Sequence, residues 1–221
     1  MQSPAKTNYP NHAVSYRQIP SKYGIDYAAA LAVAPVDSVA NLVLFLRETL
    51  PPLWRDAYLD ATSHRTNLVR LRLGTFEYIC DIYSDLEAKG EVAYDQTVQD
   101  RVVVAFGISG ADALPNARRS PRWIDPNEQL AVTERDHGHL IARCIGGRGF
   151  PVNVFSQARM LNRGQSTQGK IYRQMETYCS QRPGTFCFSR PIYDDNSCVP
   201  QWLEFGLMKE DQTLWVEVFE N

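Results

Sequence analysis

The chain has 221 residues, of which 44% are apolar and 22% charged, and its formal net charge is −2. This composition is typical of an ordinary globular protein that is long enough to build a sizeable core. No run of 18 or more apolar residues occurs, which excludes a membrane-spanning helix. The first residues lack the basic and then apolar pattern of a signal peptide, so none is expected. Five cysteines without a Cys-x-x-Cys pair argue against a zinc ribbon and against a full disulfide framework.

The charge is distributed very unevenly along the chain. Residues 1–117 carry a net charge of −3, residues 118–190 carry +7, and residues 191–221 carry −6. Eleven of the twelve basic residues in the middle segment are arginine, whose planar fork suits bidentate contact with phosphate. The middle segment is therefore predicted to bind a polyanion such as nucleic acid. A solvated basic face without a ligand is the alternative.

The first third of the chain predicts an arm followed by helices. Residues 1–25 show no periodicity and are expected to be extended or poorly ordered. A cap at 37–38 begins a helix over 39–50, where apolar residues recur at helical spacing. The Pro51-Pro52 pair is predicted to end this helix, and residues 53–61 form a second one.

The rest of the chain predicts strands around one further helix, at 169–181. A polar segment with three prolines, 109–134, reads as a long loop of the kind that is often functional. Apolar and β-branched runs predict the following strands, with turns at 74–75 and 209–212: 67–73, 76–83, 102–108, 186–193, 202–208 and 213–219. The predicted fold class is α+β, with an N-terminal region at 1–95 and a second domain at 96–221.

The most informative stretch is 134–147, Glu-Arg-Asp-His-Gly-His-Leu-Ile-Ala-Arg-Cys-Ile-Gly-Gly. It holds two of the four histidines, His137 and His139, and histidine suits proton transfer or metal ligation near neutral pH. Zinc ligation is disfavoured because the i, i+2 pair lacks a third ligand nearby. A surface turn that happens to hold two imidazoles is the alternative.

An amide and a carboxylate follow this motif at Asn162 and Glu176. Hydrolysis of a phosphodiester needs a base for water, a hard cation and positive charge for the transition state. His139, Asn162 and the local arginines could supply these in turn, since Mg²⁺ prefers oxygen ligands and keeps several waters.

These residues resemble the DNA/RNA non-specific endonucleases, which are ββα-metal (His-Me finger) nucleases with the signature Asp-Arg-Gly-His. The resemblance covers roughly residues 97–221 and includes the bacterial toxin nucleases in particular. It rests on Asp136–Ala142, Gly146-Gly147, Asn153, Leu161–Gly164 and Met175-Glu176. It implies a ββα-metal nuclease core on an antiparallel sheet. The resemblance does not extend to residues 1–95, which are predicted to form a mixed helical and strand N-terminal region.

The resemblance also implies a role for each matching residue. His139 corresponds to the general base, and Asn162 to the single protein ligand of a catalytic Mg²⁺ or Mn²⁺. Glu176 corresponds to the acid that orients metal-bound water, and Asp136 to the aspartate that opens the signature.

Two departures from the family pattern affect these assignments. His137 stands where the family has arginine, and 14 positions separate Asn162 from Glu176, which is more than the family's spacing. Residues 165–170 look like an insertion that accounts for the longer spacing. The transition-state arginine is therefore open among Arg118, Arg119, Arg122, Arg135 and Arg143. We assign Arg143 to catalysis, and we assign substrate binding to Arg118, Arg119, Arg122, Arg135, His137 and Arg163.

The expected function is metal-dependent hydrolysis of DNA, with RNA left open, at little sequence specificity. The expected setting is an antibacterial toxin or effector with a cognate immunity protein. Such a protein is cytoplasmic, or is exported by a specialised secretion system into a target cell. Two alternatives remain: a catalytically inactive module that binds nucleic acid or a protein, and a docking or delivery role for residues 1–95.

Overall fold

The structure is a computed structural model that describes residues 7–8, 19–35, 37–110 and 134–221. Its helices are α1 Tyr27–Ala32, α2 Val39–Ala61, α3 Tyr83–Ala88, α4 Arg159–Asn162 and α5 Thr167–Gln181. Its strands are β1 Thr7–Asn8, β2 Leu68–Leu73, β3 Phe76–Asp81, β4 Arg101–Ile108, β5 Arg135–His139, β6 Val154–Ala158, β7 Phe186–Ile192, β8 Trp202–Met208 and β9 Leu214–Glu220. Within these ranges, no helix is both long and apolar enough to cross a lipid bilayer.

The described strands form two sheets. The larger has seven strands in the order β1-β9-β8-β7-β4-β3-β2, and the smaller pairs β5 with β6. All neighbours in the larger sheet are antiparallel except β1 and β9. The six predicted strands and the helix predicted at 169–181 are present within two residues of their predicted ends. The predicted α+β class is thus confirmed.

The predicted break in the first long helix is wrong. Helix α2 begins after Ser38, whose hydroxyl accepts the Asn41 N–H, and continues through Pro51 and Pro52 to Ala61. A proline inside a helix costs about 3 kcal/mol because it lacks an N–H and crowds the preceding turn. The buried face of α2 offsets this cost, since each large side chain that it buries contributes about 1.5–3 kcal/mol. That face consists of Leu42, Leu46, Leu50, Trp54 and Tyr58.

The larger sheet carries a separate hydrophobic cluster on each of its faces. On one face, α1 and α2 pack against Val104, Phe106 and Phe188. On the other, α5 packs with strand residues and with the segment that follows β5; this cluster includes Phe76, Tyr78, Leu140, Ile141, Ile145, Tyr172, Met175, Cys179, Phe205 and Phe219. The histidine motif therefore lies on the α5 face. The sheet runs across residue 95 through the β3–β4 pair, and the domain boundary there stays a prediction.

Candidate active site

The histidine motif forms a strand and not the surface turn considered above. In the β5–β6 pair, His137 lies opposite Ser156 and His139 opposite Val154. A Cβ on Gly138, between the two histidines, would lie 2.1 Å from Oε1 of the buried Gln157. Glycine at this position therefore lets the strand pack closely against Gln157.

Asn153 fixes the turn that follows His139. This fully buried residue accepts the Ile141 N–H at 2.9 Å and donates to the carbonyls of Ile141 and Arg148 at 2.9 and 2.8 Å. Its own carbonyl accepts the Leu140 N–H at 2.9 Å. Four hydrogen bonds thus hold the chain reversal that leaves His139 at the end of its strand.

The His139 imidazole is half-buried, and its surroundings favour the neutral ring. Burial lowers its pKa, and the nearby Arg143 cation lowers it further. The His139 carbonyl accepts the Tyr172 hydroxyl of α5 at 3.4 Å. No hydrogen bond to the imidazole is present in the described part of the chain, so the ring is available to take a proton from water.

Asp136 gathers three side chains from α4 and its end. Its carboxylate accepts two hydrogen bonds from Arg163, at 2.8 and 3.0 Å, and one each from Arg159 and Asn162 at 3.2 Å. The Arg163 bonds are the main reason that its pKa falls to about 2. Asp136 is therefore an ionised anchor that orients the Asn162 side chain.

Asn162 is the last residue of α4 and presents one free ligand atom. Its amide nitrogen donates to Asp136, and none of the described residues donates to its carbonyl oxygen Oδ1. An uncharged oxygen is a donor that Mg²⁺ accepts. No group of three His, Cys, Asp or Glu able to hold a metal occurs among the described residues. The residues present therefore fit a cation bound mainly by water and substrate oxygens.

One guanidinium joins Asn162 to Glu176. Arg173, on α5, donates through Nη1 to Glu176 Oε2 at 2.8 Å and through Nη2 to the Asn162 backbone carbonyl. The Glu176 side chain is only 7% exposed. Its pKa is raised because the effect of burial exceeds that of the Arg173 charge. The residues predicted as ligand and acid, distant in sequence, thus share one partner.

The model of the DNA/RNA non-specific endonuclease family matches residues 93–210, more than half of the chain. The chain belongs to this family. Among solved structures, "Structure of Sda1 nuclease with bound zinc ion" is 16% identical with a TM-score of 0.36, covering 70% of this chain and 74% of that one. A second, "extracellular endonuclease", is 14% identical with a TM-score of 0.34, covering 72% and 80%. A comparison with curated proteins gave no match.

Membership of this family confirms three expectations for the nuclease. It is a nucleic-acid-hydrolysing enzyme, it combines helices with an antiparallel sheet as a ββα-metal nuclease does, and its substrate is nucleic acid. Dependence on a metal ion is typical of the family.

The predicted basic residues of the nuclease have different surroundings. Arg135 donates to the carbonyls of Ser156 and Asn221, both at 3.2 Å, and so helps to join the hairpin to the chain beyond β9. Arg163 donates hydrogen bonds to Asp136, while Arg143 and His137 are exposed. Arg118, Arg119 and Arg122 lie outside the described residues.

Sequence reasoning missed Arg159 and Arg173. Arg159 is one of the donors to Asp136, and no local pattern marks it. Arg173 lies three residues before Glu176 on a helix, a spacing at which opposite charges meet. That spacing was the one signal in the sequence that could have identified it.

Proposed function

We propose that the nuclease hydrolyses phosphodiester bonds with His139 as general base and Asn162 as the protein ligand of Mg²⁺ or Mn²⁺. The observation that carries this proposal is the continuous link from Asp136 through Asn162 and Arg173 to Glu176. A cation bound there would stabilise negative charge on the scissile phosphate. The link joins the backbone of Asn162, the proposed ligand residue, to the Glu176 carboxylate through a single guanidinium.

The proposed proton transfer runs from the attacking water to the His139 imidazole. A base must be neutral before it accepts a proton, and burial together with Arg143 favours the neutral ring. Glu176 would orient water held by the metal ion, and the Arg143 cation stabilises the additional negative charge of the transition state. Asp136 acts through Asn162, whose amide it holds.

Substrate binding is proposed for Arg118, Arg119, Arg122, Arg135, His137 and Arg163. The net charge of +7 on residues 118–190 supports contact with phosphates. Such contacts carry no sequence information, which favours cleavage with little specificity. DNA is the proposed substrate, and RNA is tested beside it.

The test of this proposal is cleavage of supercoiled plasmid and total RNA by wild type and Asn162→Ala. We expect wild type to cleave with Mg²⁺ or Mn²⁺ and to stop in excess EDTA. Asn162→Ala should lose at least tenfold in rate, as a disturbed metal site does. Asn41→Ala removes an exposed asparagine at the start of α2 and should cleave like wild type. Full activity in excess chelator, or in Asn162→Ala, would contradict the proposed metal site.

The proposed biological role is that of an antibacterial toxin or effector exported into a target cell, with an immunity protein as its partner. The Gly138–Ala142 and Leu161–Gly164 elements support it through their resemblance to toxin nucleases. Expression of wild type inside a bacterial host should arrest growth, and expression of Asn162→Ala should not. Equal growth with a wild-type protein that is active in vitro would count against this role.

A catalytically inactive binding module is the second candidate. Histidine at 137, where the family signature has arginine, is the observation that favours it. This candidate requires that wild type bind a short duplex but leave the plasmid intact with every metal ion tested. Nicking that depends on Asn162 would exclude it.

A further inference from the structure

We propose that Arg173 is a positioning residue that keeps the metal ligand Asn162 and the acid Glu176 in one arrangement; this inference rests on the proposed function. Its basis is the pair of hydrogen bonds that one guanidinium makes to both residues. Its consequence is that Arg173 sets both the affinity for the metal ion and the rate of the chemical step.

The chain between the two residues explains why a bridge is needed. Fourteen positions separate Asn162 from Glu176, and they include the turn between α4 and α5. The Ser166 hydroxyl caps α5 by accepting the Gly169 N–H at 2.9 Å. A Cβ on Gly169 would lie 2.6 Å from the Met160 carbonyl. The start of α5 therefore packs directly against α4. This packing brings the end of α4 within reach of the Arg173 side chain.

Arg173 satisfies two groups that would otherwise be costly. The Asn162 carbonyl is at the C-terminus of α4, where helix carbonyls lack a partner within the helix. The Glu176 carboxylate is buried, and a buried charge needs a counter-charge. The fork of a guanidinium can serve both groups at once, whereas the single ammonium of lysine is a point charge with a different geometry.

A direct contact between Arg173 and substrate phosphate is the competing explanation, since its side chain is 50% exposed. The two roles predict different measurements. Loss of a phosphate contact raises KM and leaves the metal requirement unchanged. Loss of a positioning residue lowers kcat and raises the metal concentration that is needed.

The experiment measures Mn²⁺ binding and kinetics in the full chain with Arg173→Gln, Arg173→Lys and the control Lys170→Gln. Lys170 is an exposed cation near the start of the same helix, and its ammonium makes no hydrogen bond or ion pair with the described residues. Mn²⁺ alone serves as the probe, and its binding is read from paramagnetic broadening of the Asn162 side-chain amide signal in ¹H–¹⁵N NMR spectra. Thermal unfolding checks that each variant is folded.

We expect Arg173→Gln to need about 10–100 times more Mn²⁺ for the same broadening, and its kcat to fall by a similar factor. Arg173→Lys should also need more Mn²⁺ than wild type, which keeps the inference testable if Arg173→Gln does not fold. Lys170→Gln should behave like wild type. Wild-type broadening and kcat in the folded Arg173 variants, or a rise in KM alone, would overturn the inference. Wild-type cleavage by Asn162→Ala would instead overturn the proposed function.

Discussion

Replacing Asp136 with asparagine should destabilise the nuclease by about 1–2 kcal/mol at pH 7. The carboxylate accepts four hydrogen bonds, and its side chain is 16% exposed. Its pKa falls from 3.8 to about 2, and roughly 1.4 kcal/mol per pKa unit sets an upper limit near 2.5 kcal/mol. Solvent screening of the half-exposed Arg163 reduces this value.

The pH dependence of this difference follows from the direction of the pKa shift. A lowered pKa in the folded state stabilises the protein fully above pH 4, and the contribution disappears as the pH falls through 2. The variant lacks this contribution at every pH. The difference between wild type and Asp136→Asn should therefore shrink by roughly half at pH 3.

Urea unfolding of both proteins at pH 7 and pH 3 measures this difference directly. Asp56→Asn is the matched control, since that carboxylate is 57% exposed and, among the residues that the structure describes, pairs only with the adjacent Arg55. The control should change the free energy of unfolding by less than about 0.5 kcal/mol. Equal stability of wild type and Asp136→Asn at pH 7, or a difference that does not shrink at pH 3, would refute the reasoning.

Three further predictions concern the hairpin, the base and the domain boundary. Gly138→Ala should lower stability by about 1–3 kcal/mol in thermal unfolding, because its Cβ would collide with Gln157; an unchanged midpoint would count against this packing. Arg143→Gln should raise the His139 pKa and move the acidic limb of the kcat/KM profile to higher pH. The control Arg148→Gln should leave this profile unchanged. Identical pH profiles for wild type and Arg143→Gln would show that Arg143 does not influence the base. A chain that begins at Thr97 should fail to fold, since β4 would lose β3 and the α5 cluster would lose Phe76 and Tyr78. A folded, active truncation would instead support a separate N-terminal module.

Much of the fold could be predicted because its signals are local. Apolar and β-branched runs predicted the strands, and Ser38 marked the start of α2. The Pro51-Pro52 pair misled because the packing of α2 on the sheet outweighs a local helix preference. That packing depends on strands far along the chain, which no local pattern reveals.

The candidate site could be predicted in its residue types but not in its connections. His139, Asn162 and Glu176 stand out by chemistry and by family resemblance. Their link through Arg173 depends on how α5 sits on α4, which is a tertiary property. Similarly, the sequence did not indicate that Arg135 and Arg163, both predicted to bind substrate, also make hydrogen bonds within the protein.

The most direct test of the central claim is digestion of supercoiled DNA and total RNA by wild type and His139→Ala in parallel, with Mg²⁺ present. We expect the variant to remain folded and to lose about 10²–10⁴ in rate, the usual contribution of a positioned base. Added imidazole should restore part of that loss by acting as an external base. A folded variant that cleaves within about threefold of wild type, far from the loss expected for a base, would contradict the assignment of His139.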